Sequence, residues 1–343
     1  IGAHGSPWTP TTARVEAERL QLLIAQGIDP VDDDKQRRRE AVDLAFDNYA
    51  SHFARSCKGV GWARLVERVI RLYLEPVIGK KPLPRVSRPD IVAVLDNMPE
   101  HQVANRRNVF AVMRRLFRWA VSRGDIERSP MEGMEAPPPV RPRDRWLQDD
   151  ELRHIWEAAP ECYLCFGPIV RLLIATGQRR EEVSGIHWQE VDRKDRFWTL
   201  PGSRTKNNEP NAIPLNDLAV AELDRQAGGA NWPKKGRVFA TSSGAGFTGY
   251  AKGKKKLDGL IEQKLGEPLQ SWRLHDLRRT LATNFQRLGV RFEVTEAVLN
   301  HVSGSRAGVA GIYQRHDWKK EKREALDDWN EHLVQILNGS EQA

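Results

Sequence analysis

Residues 274–280 read LHDLRRT and belong to a segment, RLHDLRRTLATNF, in which apolar residues recur every three or four positions. This spacing predicts an amphipathic helix. Because positions three and four apart share one face of a helix, His275 can lie beside Arg278, Arg279 or both. Such a basic face is often merely solvated. The alternative is that it holds a phosphate group, and only the rest of the chain distinguishes the two.

The composition describes a basic globular protein that is long enough for two domains. Of its 343 residues, 40% are hydrophobic and 29% are charged, and the formal net charge is +8. Residues 36–136 carry 19 basic and 12 acidic side chains, which favours a surface that meets a polyanion. The sequence contains no apolar run of membrane-spanning length and no secretory signal, so we expect no membrane partner.

Three cysteines, Cys57, Cys162 and Cys165, are too few for a disulfide framework and suit a reducing cytoplasm. Cys162 and Cys165 have CxxC spacing, but no second Cys or His pair completes a zinc site, and the stretch that follows is apolar. We interpret the pair as packing residues rather than as a metal or redox site, and we predict no bound metal.

Helical patterns on both sides of a proline-rich segment divide the chain. Helical spacing covers residues 9–26 and then most of 35–128. The segment EAPPPVRPRDR at 135–145 has no apolar periodicity and predicts a linker. A second domain is expected to begin near Trp146.

The second domain combines helices with a small sheet. Short helices are predicted at 180–188 and 255–265, and the chain reads as helical from Trp272 almost to its end. The stretches RFWTL, PGSRTKNNEP and NAIPL at 196–215 predict a small β-sheet. The expected fold is therefore mainly α with a small antiparallel β-sheet in the second domain. The final helix, EKREALDDWNEHLVQIL, packs either on its own domain or on a neighbouring subunit.

The segment 104–124 combines an apolar helical face with rows of arginine. The rows include Arg106, Arg107, Arg114, Arg115 and Arg118. They form either the solvated back of a core helix or a surface that lies along a DNA backbone, and both interpretations can hold together.

Five short motifs follow one another in the second domain. They are ATGQRREE at 175–182, TKN at 205–207, HDLR at 275–278, LNH at 299–301 and Tyr313 in AGIYQRH. In this order and at these separations, the chain resembles the tyrosine recombinases, specifically the integrases of prophages and genomic islands. Each motif alone is weak, whereas the five together are specific, and the resemblance covers nearly the whole chain.

The resemblance implies that Arg179 and Arg278 bind the non-bridging oxygens of a phosphodiester. A planar guanidinium suits this task, because it binds two phosphate oxygens at once and stays protonated. Helical geometry leaves Arg279 open as the second cation, and only the family spacing selects Arg278.

The resemblance also assigns the remaining chemistry. Tyr313 is the nucleophile, and Lys206 is the general acid that protonates the leaving 5′-oxygen. His275 and His301 transfer protons or hydrogen-bond the phosphate, and Glu182 orients the site.

Two features depart from the family pattern. Asn300 stands where the family usually has Gly before His301, and the spacer SGSRAGVAG makes the step to Tyr313 a few residues longer. The resemblance therefore leaves the position of Tyr313 open.

The domain plan that the resemblance implies has four parts. Residues 1–34 correspond to a remnant of an arm-binding domain and its linker, and 35–136 to a helical core-binding domain that binds DNA. Residues 137–145 correspond to a linker, and 146–343 to the catalytic domain.

The implied activity is site-specific recombination through a 3′-phosphotyrosine, which integrates or excises a mobile element such as a prophage. No cofactor, metal or ATP is expected. The expected partners are double-stranded DNA at core attachment sites and further copies of the chain in a homotetramer on two duplexes. A DNA-bending protein and a directionality factor are candidate accessory partners, and the expected location is the bacterial cytoplasm, at the nucleoid.

Two alternatives stay open. One is a type IB topoisomerase-like or telomere-resolving enzyme with the same chemistry, and the other is a catalytically silent DNA-binding regulator.

Overall fold

Two hydrophobic cores form in the computed structural model, which describes residues 9–32, 45–140, 143–162, 165–205, 207–241, 244–301 and 317–339. They lie in two compact units of the chain, Ile1–Pro142 and Arg143–Ala343. Within the described ranges, no helix is both long and apolar enough to cross a membrane. The architecture is mainly helical with one small antiparallel sheet, which confirms the predicted fold class.

The first unit is helical in its described part. Its α-helices are α1 (Pro10–Ala25), α2 (Phe46–Ser56), α3 (Val60–Val69), α4 (Glu75–Ile78), α5 (Arg88–Asp96) and α6 (Val103–Ser122). The hydroxyl of Thr9 accepts a hydrogen bond from the N–H of Thr12 at 3.2 Å and caps the start of α1. None of the residues of α1 is buried.

The long helix α6 lies at the centre of the first core. Its apolar residues recur at the three- and four-residue spacing of a single helix face, so that face turns inward. The fully buried members are Val109, Val112, Met113, Leu116, Phe117 and Ala120. The helix packs against α2, α3 and α5, and the ring centroids of Phe117 and Phe46 lie 6.3 Å apart.

A π-helical turn, Ile70–Leu74, joins α3 to α4. Pro76 has no N–H and cannot bond to the carbonyl four residues earlier. In the π turn before it, the N–H of Glu75 donates to the carbonyl of Ile70, five residues earlier. The helical run predicted from the sequence is therefore interrupted in its middle.

The second unit contains eight α-helices in its described part. They are α7 (Asp149–Ala158), α8 (Phe166–Thr176), α9 (Arg180–Ser184), α10 (Asp217–Ala227), α11 (Tyr250–Leu265), α12 (Leu274–Arg287), α13 (Phe292–Val298) and α14 (Lys319–Asn338). The helix predicted at 180–188 ends at Ser184, because the chain turns away there and the N–H of Trp188 donates to the carbonyl of Gly236 at 2.9 Å.

Helix α11 begins at Tyr250, five residues earlier than the sequence predicted. Gly253 lies inside this helix. It lies where the helix approaches Phe166 so closely that a Cβ on Gly253 would be 2.4 Å from the Phe166 ring. A packing requirement therefore explains this glycine inside a helix.

The sheet has the order β1–β2–β3 and is antiparallel throughout. Its strands are β1 (Val191–Asp192), β2 (Phe197–Leu200) and β3 (Asn211–Pro214). Trp198 pairs with Ile213, and both side chains are buried in the second core.

Residues 201–210, the turn-rich segment between β2 and β3, form a loop in their described part. The loop starts with a 3-10 turn at Gly202–Arg204, and Asn208 has a φ of 60°. A positive φ takes the chain out of the extended region, so the β-ladder ends at Leu200 and Asn211.

Helix α14 packs on its own unit, which was one of the two alternatives that the sequence offered. Trp329 is buried and donates from Nε1 to the carbonyl of Ile174 at 2.9 Å. Lys322, also buried, donates from Nζ to Oδ1 of Asn211 at 2.9 Å and to the carbonyl of Ala212 at 2.8 Å. These bonds attach α14 to helix α8 and to strand β3.

Candidate active site

A tight turn between α8 and α9 positions Arg179. Helix α8 ends at Gly177, whose φ of 64° lies in the left-handed region, and a Cβ there would meet Cδ1 of Leu281 at 2.8 Å. The buried carboxamide of Gln178 donates to the carbonyls of Thr176 at 2.9 Å and Val298 at 3.0 Å. The turn is therefore tied to the end of helix α13.

Glu182 holds the guanidinium of Arg179. Nη1 of Arg179 donates to Oε1 of Glu182 at 2.9 Å, and the backbone N–H of Arg179 donates to Oε2 at 3.1 Å. Glu182 is buried, whereas the side chain of Arg179 keeps 23% of its surface exposed. The carboxylate thus fixes a cation that still has solvent on one side.

Arg278 reaches the same turn from helix α12. It is buried and donates from Nη1 to the carbonyl of Gly177 at 2.9 Å and from Nη2 to the carbonyl of Leu299. Burial lowers the pKa of Arg278 to about 9, with a further contribution from the positive charge of Arg179. The group stays protonated at neutral pH.

The two arginines of the doublet have different surroundings. Arg279 donates to Oδ1 of the buried Asp276 at 2.8 Å and keeps 39% of its side-chain surface exposed. The geometry therefore brings Arg278, and not Arg279, to the turn that carries Arg179.

His275 lines the same cavity as Arg179 and Arg278. It keeps an exposed edge, yet the protein atoms around it lower its pKa below the ordinary value of 6.5, and the charges of Arg278 and Arg279 lower it further. The imidazole is neutral at pH 7, so it can accept a proton.

His301 lies just beyond the end of α13. Its Nδ1 atom is 2.8 Å from Oε1 of Glu296, and Glu296 is buried. Asn300, the residue before it, is buried with a φ of 47°. The carbonyl of Asn300 accepts from Nη2 of Arg179 at 3.4 Å, which links the LNH motif to the first arginine.

The loop after β2 reaches the site through Asn207. Nδ2 of Asn207 donates to the carbonyl of Asn300 at 3.3 Å and to its Oδ1 at 3.2 Å. Lys206 and Tyr313, which the sequence analysis named as general acid and nucleophile, lie outside the described residues.

A cavity of about 630 Å³ opens beside these groups. It is lined by Gln178, Arg179, Arg180, Glu181, Tyr250, Ala251, Lys254, Trp272, Arg273, Leu274, His275 and Arg278. Its basic side chains outnumber its single carboxylate, so the cavity suits an anion. The described residues thus bring together Arg179, Arg278 and His275 around it.

Sequence reasoning missed Lys254 and Trp272. Nζ of Lys254 lies 3.9 Å from the centroid of the Trp272 ring and donates to Asp258 at 2.6 Å. Burial lowers the pKa of Lys254. The helix that carries Lys254 was predicted to begin at residue 255, so the lysine was not placed on it.

The five arginines of α6 are not equivalent. Arg106 donates to the carbonyl of Met98 at 2.8 Å, and Arg107 donates to that of Pro137 at 2.6 Å. The guanidinium of Arg115 lies 5.1 Å from the Trp62 ring centroid. Arg114 and Arg118 are exposed and line a second cavity of about 560 Å³ in the first unit.

The cysteine pair lies in a packed environment. Cys162 is buried, and burial raises the pKa of its thiol to about 11 and also raises that of Cys165. Across the described ranges, no group of three or more His, Cys, Asp or Glu side chains is arranged to hold a metal ion.

Comparison with known proteins finds two matching family models. The model of the phage integrase family matches residues 145–319, and the model of the phage integrase central domain matches residues 46–136. Among curated proteins, the prophage integrase IntZ of Escherichia coli K12 is 24% identical over 96% of this chain and 81% of its own length.

Two solved structures of lambda integrase share the fold. A dimer of its residues 75–356 bound to a COC′ core site has a TM-score of 0.55 at 18% identity, over 75% of this chain and 95% of that one. A tetramer bound to a Holliday junction has a TM-score of 0.58 at 17% identity, over 88% of this chain and 90% of that one.

Proposed function

The chain belongs to the phage integrase family and is a site-specific tyrosine recombinase of the prophage integrase type, and from this premise we propose how its own residues divide the reaction. Arg179 and Arg278 bind the non-bridging oxygens of the scissile phosphate, with Glu182 orienting Arg179. The observation that carries this proposal is that Arg278 bonds to Gly177 in the turn that leads to Arg179.

Tyr313 attacks the phosphorus atom. Its phenolic proton passes to an imidazole of the site, His275 or His301, while the neighbouring guanidinium groups favour the phenolate. The bond between phosphorus and the 5′-oxygen breaks, and its electron pair stays on that oxygen, which takes a proton from Lys206. The products are a 3′-phosphotyrosine and a free 5′-hydroxyl, and the reverse steps join a new strand without ATP.

Two positively charged surfaces share the binding of DNA. In the catalytic unit, the anion-binding cavity receives the scissile phosphate. In the first unit, the exposed Arg114, Arg115 and Arg118 contact backbone phosphates. Arg106 and Arg107 contribute less to DNA binding, because their guanidinium groups already donate to backbone carbonyls.

The assembly and the domain plan complete the proposal. Residues 1–34 belong to an arm-binding domain and its linker, 35–136 form a core-binding domain, 137–145 a linker and 146–343 the catalytic domain. Four copies act on two duplexes, by analogy with the lambda integrase tetramer on a Holliday junction. A DNA-bending protein and a directionality factor assist at the bacterial nucleoid, and the outcome is integration or excision of a mobile element.

A nicked duplex that carries the attachment core of the encoding element tests the mechanism, because the nick lets the cleaved fragment diffuse away and traps the covalent complex. We expect the wild-type chain to become attached to the DNA and Tyr313→Phe to bind the DNA without attachment. Tyr73→Phe is the matched control, since Tyr73 lies in the first unit and lines no part of this cavity, and its hydroxyl donates to Oε1 of Gln102 at 3.2 Å.

The control variant should still form the adduct. An undiminished adduct in Tyr313→Phe would remove Tyr313 from the role of nucleophile. If the chain relaxed supercoiled plasmids without any site preference, the result would favour a topoisomerase-like enzyme over a recombinase.

A further inference from the structure

Asp276 is a buried acid inside the HDLR motif of helix α12. Its neighbours in that motif, His275 and Arg278, line the cavity, whereas Asp276 does not. A buried carboxylate is costly unless positive charges and hydrogen-bond donors surround it. The groups that surround this carboxylate therefore indicate what it does.

The carboxylate of Asp276 caps the start of its own helix. Its Oδ2 accepts from the backbone N–H of Arg273, the residue that precedes α12, at 2.8 Å. Its Oδ1 accepts from Nη1 of Arg279, about one turn further along the helix, at 2.8 Å. These two contacts hold the first turn of α12, which carries His275.

A second arginine reaches the same carboxylate from the end of the proline-rich segment at 135–145. Nε of Arg143 lies 3.6 Å from Oδ2 of Asp276, and Nη2 of Arg143 donates to the carbonyl of Ser271. Just after this segment, the N–H of Leu147 donates to the hydroxyl of Thr280 at 2.8 Å. That hydroxyl donates in turn to the carbonyl of Asp276 at 2.8 Å. The chain therefore enters the catalytic unit along helix α12.

One buried negative charge is thus shared by two arginines. Arg143 and Arg279 are both partly exposed, so the carboxylate is the group that needs compensation, and either arginine can supply it when the other is removed. Burial lowers the pKa of His275, and the charge of Asp276 partly opposes that shift. The carboxylate is therefore within electrostatic reach of the imidazole at the cavity.

We propose that Asp276 is a positioning residue whose buried carboxylate, shared by Arg143 and Arg279, fixes the first turn of α12. The fixed turn sets where His275 and Arg278 stand at the cavity. Asp276 itself touches no reacting atom, and Arg143 supports the active site from the segment that joins the two units. This inference rests on the proposed function, because it needs His275 and Arg278 to act at the scissile phosphate.

Asp276→Ala removes the carboxylate and tests the positioning role. We expect single-turnover cleavage of the nicked duplex to slow by about tenfold or more, because a misplacement of about 1 Å can cost about 10²-fold in rate. The affinity for the duplex should stay within about twofold of the wild type, since Asp276 does not line the cavity. A variant that had merely lost its fold would lose rate and affinity together.

Glu222→Ala is the matched control. Glu222 is also buried, accepts from an arginine three residues later, Arg225, and lies 3.7 Å from a second arginine, Arg171. It belongs to helix α10 and does not line the cavity. At a temperature at which thermal melting shows both variants to be folded, we expect Glu222→Ala to cleave within about twofold of the wild-type rate.

The sharing of the charge provides a second, independent test. Arg143→Gln and Arg279→Gln each leave one arginine beside Asp276, so each should slow cleavage by about threefold at most. Independent effects would multiply to about ninefold, whereas the double variant leaves the buried charge without either arginine and should lose about 30-fold or more. Asp276→Asn, added to the double variant, removes that charge while its amide oxygen can still accept from Arg273. It should regain about tenfold in rate.

Two results would overturn the inference. One is a loss of cleavage rate in Asp276→Ala that is no larger than the loss in Glu222→Ala, or that is matched by an equal loss of DNA affinity. The other is a double variant that loses no more than the product of its single variants and is not rescued by Asp276→Asn. A wild-type chain that forms no adduct with the nicked duplex would instead refute the proposed function, so the two failures are distinguishable.

Discussion

The Nδ1 atom of His301 lies 2.8 Å from Oε1 of Glu296, which comes five residues earlier in the chain. This contact fixes the orientation of the imidazole. Because a carboxylate accepts hydrogen bonds, Nδ1 carries the proton and donates to Glu296. The other ring nitrogen, Nε2, can then exchange a proton or bond to phosphate. A buried acid thus determines which nitrogen of His301 can act.

Replacement of Glu296 by Gln should therefore impair strand cleavage without preventing DNA binding. An amide can present its NH₂ group to Nδ1 and favour the opposite tautomer, so we expect a loss of about tenfold or more. Single-turnover cleavage of a nicked duplex measures it. Glu293→Gln, on the exposed side of the same helix, is the control, and an equal loss in both variants would argue against the role of this contact.

The two arginines of the LHDLRRT stretch should respond differently to the same substitution. Lysine at position 278 keeps the charge but cannot bond to two carbonyls and a phosphate together, so Arg278→Lys should lower the cleavage rate by about 10²–10³. Arg279→Lys keeps a positive charge beside the buried Asp276, which also lies 3.6 Å from Arg143, so the cleavage rate should change little. Comparable losses in the two variants would contradict the assignment.

Gly177→Ala should destabilise the catalytic unit by more than backbone strain alone. Gly228→Ala provides the control, because Gly228 also ends a helix with a positive φ of 73° but a Cβ there would meet nothing within 4 Å. Left-handed alanine costs about 1–2 kcal/mol, which both variants share. The clash with Leu281 should add about 1–3 kcal/mol in Gly177→Ala. Thermal melting of the full chain measures the difference, and equal melting temperatures would disprove the clash.

The lowered pKa of His275 predicts a stability that declines on acidification. In the unfolded chain this imidazole takes up a proton near pH 6.5, whereas in the folded chain burial and then the charges of Arg278 and Arg279 oppose protonation. As the pH falls below about 6.5, the unfolded state therefore binds more protons than the folded state. The free energy of unfolding decreases until the pH is below the pKa of His275 in the folded chain. Above about pH 7.5 this contribution is constant.

Denaturant unfolding of the wild type and of His275→Asn between pH 5 and 8 checks this expectation. The variant should lose less stability on acidification than the wild type. An NMR titration of His275 with a midpoint at or above the ordinary value would contradict the direction of the shift.

Periodic and ordered features of the site were accessible from the sequence. The apolar spacing around LHDLRRT predicted helix α12, the arginine-bearing segment predicted α6, and the order of the motifs indicated the family. These features are local or linear, so a single chain displays them.

Features that depend on tertiary neighbours were not accessible. Arg278 and Arg279 can both share a helix face with His275, and only the carbonyls of Gly177 and Leu299 distinguish them. Lys254 was missed because the helix that carries it was predicted to begin at residue 255, whereas it begins at Tyr250.

The packing of α14 on α8 has a consequence for the order in which the protein is made. Trp329 bonds to a carbonyl 155 residues earlier, at Ile174. At a synthesis rate of about 5–20 residues per second, α8 leaves the ribosome roughly 8–30 s before its covering helix. The first core, from Phe46 to Met131, is already complete by then. The nascent catalytic unit therefore exposes the apolar surface of α8 during this interval, until α14 arrives to cover it.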